Sequence, residues 1–395
     1  MPPHRTNPFQ FGRELGPDEL VDRVSELNAI GNTLSRAGKL FLIGPRRYGK
    51  TSLLRVAATR AESAGVRVMR YDAQAFPGLT ELAERIAADT VTRLTPTFEK
   101  AAKAARELFR SLSPRASFDA QDGTWTLSLA GAQGRTTPVP LLVDVLDGVE
   151  RAAQQAKRKA AIVLDEFQEV IEQGGSDAEE QIRAAIQRHS HVAYVFAGSK
   201  TRMLTDMVSN HARPFYRLGA VHFLGPVPRD DFATFIADGF ASAGLTIHAD
   251  GATAVLDLAD DVPYNVQLLA SACWEWADTN RARGRGAGSP VSAAVVSDVC
   301  EKEARRLDPL YTQIWAGLTV PQRQAARAVV AERGVGLTST NVSKRYKLPT
   351  STMQRALSAL ELKLLVRLDG TTGAERYRLD DPLFAAWIRI LQSLG

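Results

Sequence analysis

Five stretches of the first 225 positions are apolar enough to be buried strands: Leu40 to Ile43, Arg67 to Gln74, Ala160 to Phe167, Val192 to Ser199 and Val221 to Leu224. Between them, apolar residues recur at helical spacing. Leu20, Leu27, Ile30 and Leu34 predict a helix over 18–37, and further helices are expected over 52–64, 81–94, 98–112, 138–157 and 179–189. Apolar strands separated by helices predict a parallel sheet covered on both faces, with ligands bound at the carboxyl ends of its strands. Over 113–137 the pattern changes, and Thr124 to Leu129 alternates as a short strand in an exposed insertion.

Beyond Arg229 the strand signal stops. Helical spacing over 230–243, 251–259 and 265–277 predicts an all-helical, lid-like subdomain, and a basic Gly/Arg loop over 281–289 reads either as a solvated linker or as a nucleic-acid contact. A helix over 292–306 leads to the last pattern: helices over 320–333, 341–346 and 352–364, a hairpin over 365–379 and a closing helix over 382–394. In the third helix Met353, Leu357, Leu360 and Leu364 are expected inward. Three helices and a hairpin make a winged helix. The expected divisions are 1–228, 229–307 and 308–395.

A chain of 395 residues suits two or three domains. It holds no apolar run of bilayer length, and Met1-Pro-Pro-His-Arg5 lacks the apolar core of a signal peptide, so a cytosolic protein is expected. Cys273 and Cys300 have no metal-site spacing and read as buried thiols. The net charge is +5, unevenly spread: residues 319–395 carry 12 Lys and Arg against 6 Asp and Glu, and the remainder 37 against 38. A basic terminal domain fits nucleic acid, although packing or protein contact is an equally ordinary use of a winged helix.

The candidate chemistry starts at Gly44-Pro45-Arg46-Arg47-Tyr48-Gly49-Lys50-Thr51-Ser52, which has phosphate-loop spacing between a strand and a helix. Glycines permit the tight turn and the approach of backbone N–H groups to phosphates, Lys50 reaches the β and γ phosphates, and Thr51 offers a hydroxyl to Mg²⁺. Ile162 to Gln168 supplies the second half: a strand ending in Asp165, the metal-linked acid, and Glu166, which polarises the attacking water. Ser199 either senses the γ phosphate or caps the next helix. Arg213 and Arg217 either stabilise transition-state charge, in this chain or a neighbour's, or pair with surface carboxylates.

Together Asn7-Pro-Phe9, Val21 to Leu27, the phosphate loop, Leu164 to Gln168, Phe196 to Ser199, Arg213 to Arg217 and Val262 to Gln267 resemble the archaeal-type ATPases of the STAND and AAA+ lineages, related more distantly to origin-recognition initiators. The resemblance covers roughly residues 7–277 and implies an α/β P-loop NTPase core with a helical lid, followed by a winged helix. It also implies ATP with Mg²⁺, base recognition around Arg23, and lid residues Pro263 and Tyr264 near the nucleotide. Where many AAA+ lids carry an arginine after a glycine, this chain has Pro263-Tyr-Asn-Val-Gln267, which favours a slow switch over a motor. In the DNA-binding use of the winged helix, Ser351, Thr352, Gln354, Arg355 and Ser358 face the duplex, and Lys344, Arg345, Lys347, Arg376 and Arg378 contact phosphates. Double-stranded DNA is thus the expected partner, with a homo-oligomer or a protein partner as the alternative.

Overall fold

In the computed structural model of the chain, residues 6–94, 107–109, 114–119, 124–129, 138–283, 290–369 and 376–393 are described. Most of the helix expected over 98–112, the loop over 284–289 and the hairpin turn over 370–375 lie outside them. The chain forms two compact units, Glu14–Gly225 and a second made of Met1–Arg13 with Pro226–Gly395.

The first unit runs α1 (Val24–Ser35), β1 (Lys39–Ile43), α2 (Lys50–Ser63), β2 (Arg67–Asp72), α3 (Leu79–Leu94), β3 (Pro114–Asp119), β4 (Thr124–Leu129), α4 (Pro138–Ala156), β5 (Ala160–Asp165), α5 (Gln168–Gly174), α6 (Ala178–Ile186), β6 (Val192–Gly198), α7 (Thr201–Ser209) and β7 (Ala220–Phe223). The sheet order is β2-β5-β6-β1-β7, and every pairing is parallel. All residues of β5 and β6 are buried, as strands covered on both faces must be. Phe41, Phe167, Phe196 and Phe215 pack ring on ring at one end of this core, with centroids 4.4–6.1 Å apart. β3 and β4 pair antiparallel with each other, so the insertion is a hairpin rather than a lone strand.

The expected helix over 18–37 is broken. A short 3₁₀ turn (Pro17–Glu19) comes first, and Asp22 and Arg23 take left-handed φ of 58° and 73° before α1 starts. The break turns the Arg23 side chain inward, where it donates to Glu26 Oε1 at 3.0 Å and to the Gly225 carbonyl at 2.7 Å.

Beneath the sheet, buried His189 is held by Asp147 Oδ1 at 2.8 Å and the Tyr194 hydroxyl at 2.7 Å. Burial lowers its pKa below 6.5, although Asp147 opposes the shift. The unfolded chain therefore takes up this proton at a higher pH than the folded one. The contribution is complete above about pH 6.5 and is lost as pH falls toward the folded value. Urea unfolding is expected to show lower stability at pH 5.5 than at 7.5, with a smaller difference in His189→Gln.

The second unit holds α8 (Arg229–Ser242), α9 (Ala249–Ala259), α10 (Pro263–Ala282), α11 (Ala293–Arg306), α12 (Asp308–Ala316), α13 (Val320–Ala331), α14 (Thr340–Tyr346), α15 (Thr350–Leu362), β8 (Val366–Asp369), β9 (Arg376–Leu379) and α16 (Pro382–Ser393). Thr319 and Gln322 form a capping box on α13, and Ser339 caps α14. α15 starts at Thr350, two residues before the expected start at 352. It ends at Leu362, so Leu364 lies past the helix with φ of 58° and is exposed, while Met353, Leu357 and Leu360 are buried as expected. β8 and β9 pair as the wing.

The leader belongs to this unit: Asn7 Nδ2 donates to Ser271 Oγ at 2.8 Å, Gln267 Oε1 accepts from the Gln10 N–H at 3.1 Å, and Phe9 packs against Phe235 and Phe240. Burial pushes the thiols of Cys273 and Cys300 up to about 12 and about 11, which makes both unreactive.

Candidate functional site

β1 and β5 end on the same edge of the sheet, and everything between Ile43 and α2 turns on that edge. Gly44 follows the strand so closely against Leu224 that a Cβ would stand 2.8 Å from the Leu224 Cβ; its glycine is required by packing. Gly49 is different. It has φ of 83° and open space where a Cβ would go, so backbone conformation requires it. Arg47 is also left-handed, at 69°. The loop feeds α2, whose N-terminus has no side-chain cap, so its first N–H groups and the positive end of its dipole are open to an anion.

Lys50 is the first residue of α2 and is 5 % exposed. Its ammonium donates to the Gly44 and Pro45 carbonyls at 2.9 and 3.0 Å, which fixes it beneath the loop. Burial lowers its pKa, opposed by Glu166 and Asp165. Thr51 Oγ1 donates to Asp165 Oδ2 at 2.7 Å, so the two metal-linked candidates, 114 positions apart, meet. Asp165 is 2 % exposed, and burial raises its pKa against the bond from Thr51 and the charge of Lys50. A buried carboxylate beside one hydroxyl suits Mg²⁺, which keeps several waters and takes few protein ligands. Pro45 and Arg46 are half-buried, Arg47 is exposed, and Tyr48 is buried. Buried Ser52 faces backwards, its hydroxyl accepting from the Leu15 N–H at 3.0 Å; it braces the helix rather than lining the loop.

Glu166 has φ of 50°, and three donors converge on its Oε2: Ser199 Oγ at 2.7 Å, Ser199 N at 3.3 Å and Gln168 Nε2. Burial alone would raise its pKa; the bonds from Gln168 and Ser199 and the charges of Lys50 and Arg46 outweigh it, and the pKa falls. The carboxylate is thus ionised, as a base must be. Ser199 does not cap α7, whose N-cap is Lys200 and has no side-chain capping bond. Gln168 is the residue that motif spacing alone passes over. It is fully buried, and Gly198 makes room for it, since a Cβ there would stand 2.2 Å from Gln168 Oε1. The signal was present as the fourth residue of Asp165-Glu-Phe-Gln168, at the first position of α5.

The two arginines separate. Arg213 is clamped by buried Glu179, with Nε at 3.1 Å and Nη2 on the other carboxylate oxygen, and by Asp206 at 2.8 Å; these partners raise its pKa. In this structure it bridges α6 and α7 through these two carboxylates, the pairing that was one of its two expected readings. Arg217 is exposed, left-handed at 55°, and lies 5.1 Å over the Tyr216 ring. Pro263 opens α10 and Tyr264 meets Phe11 edge-on at 6.0 Å, both in the second unit.

In the winged helix Lys344, Arg345, Lys347, Ser351, Gln354, Arg355 and Ser358 are exposed, and Thr352 is half-buried. Arg345 also pairs with Glu332 at 2.5 Å. Arg378 pairs with Asp260, which lies 118 positions away on the turn between α9 and α10. Arg376 donates Nε to the Arg333 carbonyl at 3.0 Å and lines a cleft beside that turn.

Residues 20–240 match the model of an ATPase domain predominantly from Archaea. The chain belongs to this ATPase family. Residues 309–390 match a second model, described as a "probable winged helix domain". No curated protein matches the chain. Among solved structures, this ATPase is similar to the Walker-type ATPase paby2304 of Pyrococcus abyssi, at 16 % identity over 97 % of this chain and 99 % of that one, with a TM-score of 0.58. It is also similar to the Aeropyrum pernix ORC2 protein in its ADPNP-ADP complexes, at 15 % identity over 98 % of both chains, with a TM-score of 0.54. At these identities the likeness is one of fold: a P-loop ATPase core with a C-terminal winged helix. Among the described residues no helix is long and apolar enough to cross a membrane.

Proposed function

We propose that this ATPase binds ATP with Mg²⁺ at the loop 44–52, hydrolyses the β–γ bond slowly, and uses the nucleotide state to control duplex-DNA binding by its winged helix. The observation that carries the reading is the meeting of Thr51 with Asp165 beside the buried ammonium of Lys50, which brings the two metal-linked candidates together at the phosphate loop. Lys50 and the N–H groups of α2 hold the phosphates, and Thr51 and Asp165 hold the metal through oxygen and water. Bound Mg²⁺ neutralises charge on the phosphate oxygens. Glu166, ionised and fixed through Oε2, leaves Oε1 to orient water and take its proton. Ser199 ties this carboxylate to the end of β6, the place of a γ-phosphate sensor. Arg217, the exposed arginine, is the candidate for charge stabilisation in trans. Base recognition is assigned to the Arg23 segment, with Pro263 and Tyr264 as lid residues. In functional terms 1–228 is the ATPase core, 229–307 the lid and linker, and 308–395 the winged helix.

ATP turnover is expected with Mg²⁺ and lost with EDTA or in Lys50→Ala, whose ATP affinity should fall at least tenfold. An equal affinity in Lys50→Ala would sink the nucleotide half. For the DNA half, Lys344→Ala with Arg355→Ala is expected to weaken duplex binding about 10-fold at 100 mM salt and to reduce the salt slope by about one to two. Fluorescence anisotropy with and without ATP measures both. Unchanged binding would favour a second reading, a scaffold ATPase whose winged helix contacts protein. The pairing of Arg378 with Asp260 supports that alternative, because it occupies part of the wing.

A further inference from the structure

The turn between α9 and α10 faces the wing across a cleft of about 580 Å³ within the second unit, well inside the size range of small-molecule sites. Its floor is apolar, with Leu256, Val329, Leu379 and Pro382. Its charge is not balanced: five guanidinium groups line it against three carboxylates. Those three carboxylates are already engaged. Asp257 and Asp261 pair with Arg229, the latter at 2.8 Å from Nε, and Asp260 pairs with Arg378. Asp260 also has Arg367 at 4.0 Å.

The remaining three, Arg333, Arg376 and Arg389, have no carboxylate partner among the described residues. Arg376 uses only Nε, on the Arg333 carbonyl, and Arg389 only Nε, on its own helix at the Ala385 carbonyl 3.4 Å away. Unused guanidinium edges around an apolar floor are the arrangement that holds a phosphorylated organic molecule, since each fork matches a phosphate bidentately while the floor takes the apolar part. A duplex backbone, being convex, has no use for the floor. We propose that this cleft is a second ligand site, distinct from the phosphate loop, for an organic phosphate of nucleotide size. The ligand would bridge α9 of the lid to β9 and α16 of the winged helix and so hold these two parts together.

The test uses the full chain carrying Lys50→Ala, so that the phosphate loop is disabled, and isothermal titration with ADP, pyrophosphate and adenosine as probes. One equivalent of ADP is expected to bind, tighter than pyrophosphate, with adenosine not binding. Adding Arg333→Ala and Arg376→Ala should weaken ADP at least tenfold, with thermal unfolding of the free protein within a few degrees of the parent. Absence of ADP binding in Lys50→Ala, or equal affinity in the triple variant, overturns the proposal. So does a triple variant that loses duplex binding while keeping its ADP affinity, which would make the cleft a backbone contact. Failure of the phosphate-loop reading is a separate result, seen as unchanged ATP affinity in Lys50→Ala and a stoichiometry of one rather than two in the wild-type protein.

Discussion

Glu166→Gln is expected to lower ATP turnover by about 10²- to 10⁴-fold, the usual contribution of a positioned general base, while leaving ATP affinity near that of the wild type. The side chain keeps its size, and an amide oxygen still accepts from the Ser199 hydroxyl and N–H, so the local structure survives the change. What disappears is the anionic oxygen that takes the proton of the attacking water. Single-turnover hydrolysis at saturating ATP and Mg²⁺ measures the chemical step without product release. A loss below tenfold would remove Glu166 from the base role and point to water activated by the substrate itself. Lys50→Ala separates from it cleanly, since that change acts on binding as well as on rate.

The sheet and the heart of the site were legible because the physics that builds them is local. Parallel strands buried on both faces must be continuous apolar runs, and β1, β5 and β6 are such runs. Loop and helix chemistry sits within nine residues, from Gly44 to Ser52. Residues whose role depends on a distant partner were not legible. Arg213 and Arg217 look alike in sequence; only the fold brings Glu179, 34 positions away, against the first and leaves the second exposed. The pairing of Arg378 with Asp260, 118 positions away, is likewise invisible in the sequence. The helix expected across 18–37 failed for a different reason: its apolar spacing is real, but two left-handed residues interrupt it so that Arg23 can be buried against Glu26 and Gly225. α7 passed unread, as its buried face is only Leu204, Met207 and Val208.

Gly334→Ala should be the most damaging small substitution in the second unit, at about 3 kcal/mol or more. Gly334 has φ of 74°, which alone costs an L-residue about 1–2 kcal/mol. A Cβ built there stands 1.6 Å from the Tyr377 carbonyl oxygen, and that neighbour is backbone, so no rotamer relieves it. The Tyr377 N–H donates to the Gly334 carbonyl at 3.0 Å, tying the end of α13 to β9. Separating them would sacrifice this bond, worth about 1 kcal/mol, and would shift the neighbouring Arg376 and Arg378. Gly336 supplies the internal control: its φ is also positive, at 63°, but nothing lies within 4 Å of its Cβ position. Gly336→Ala should therefore cost only the backbone part, about 1–2 kcal/mol. Denaturant unfolding of both variants tests the contrast. Equal losses would mean that the wing yields freely to Gly334 and that the close approach to Tyr377 costs nothing.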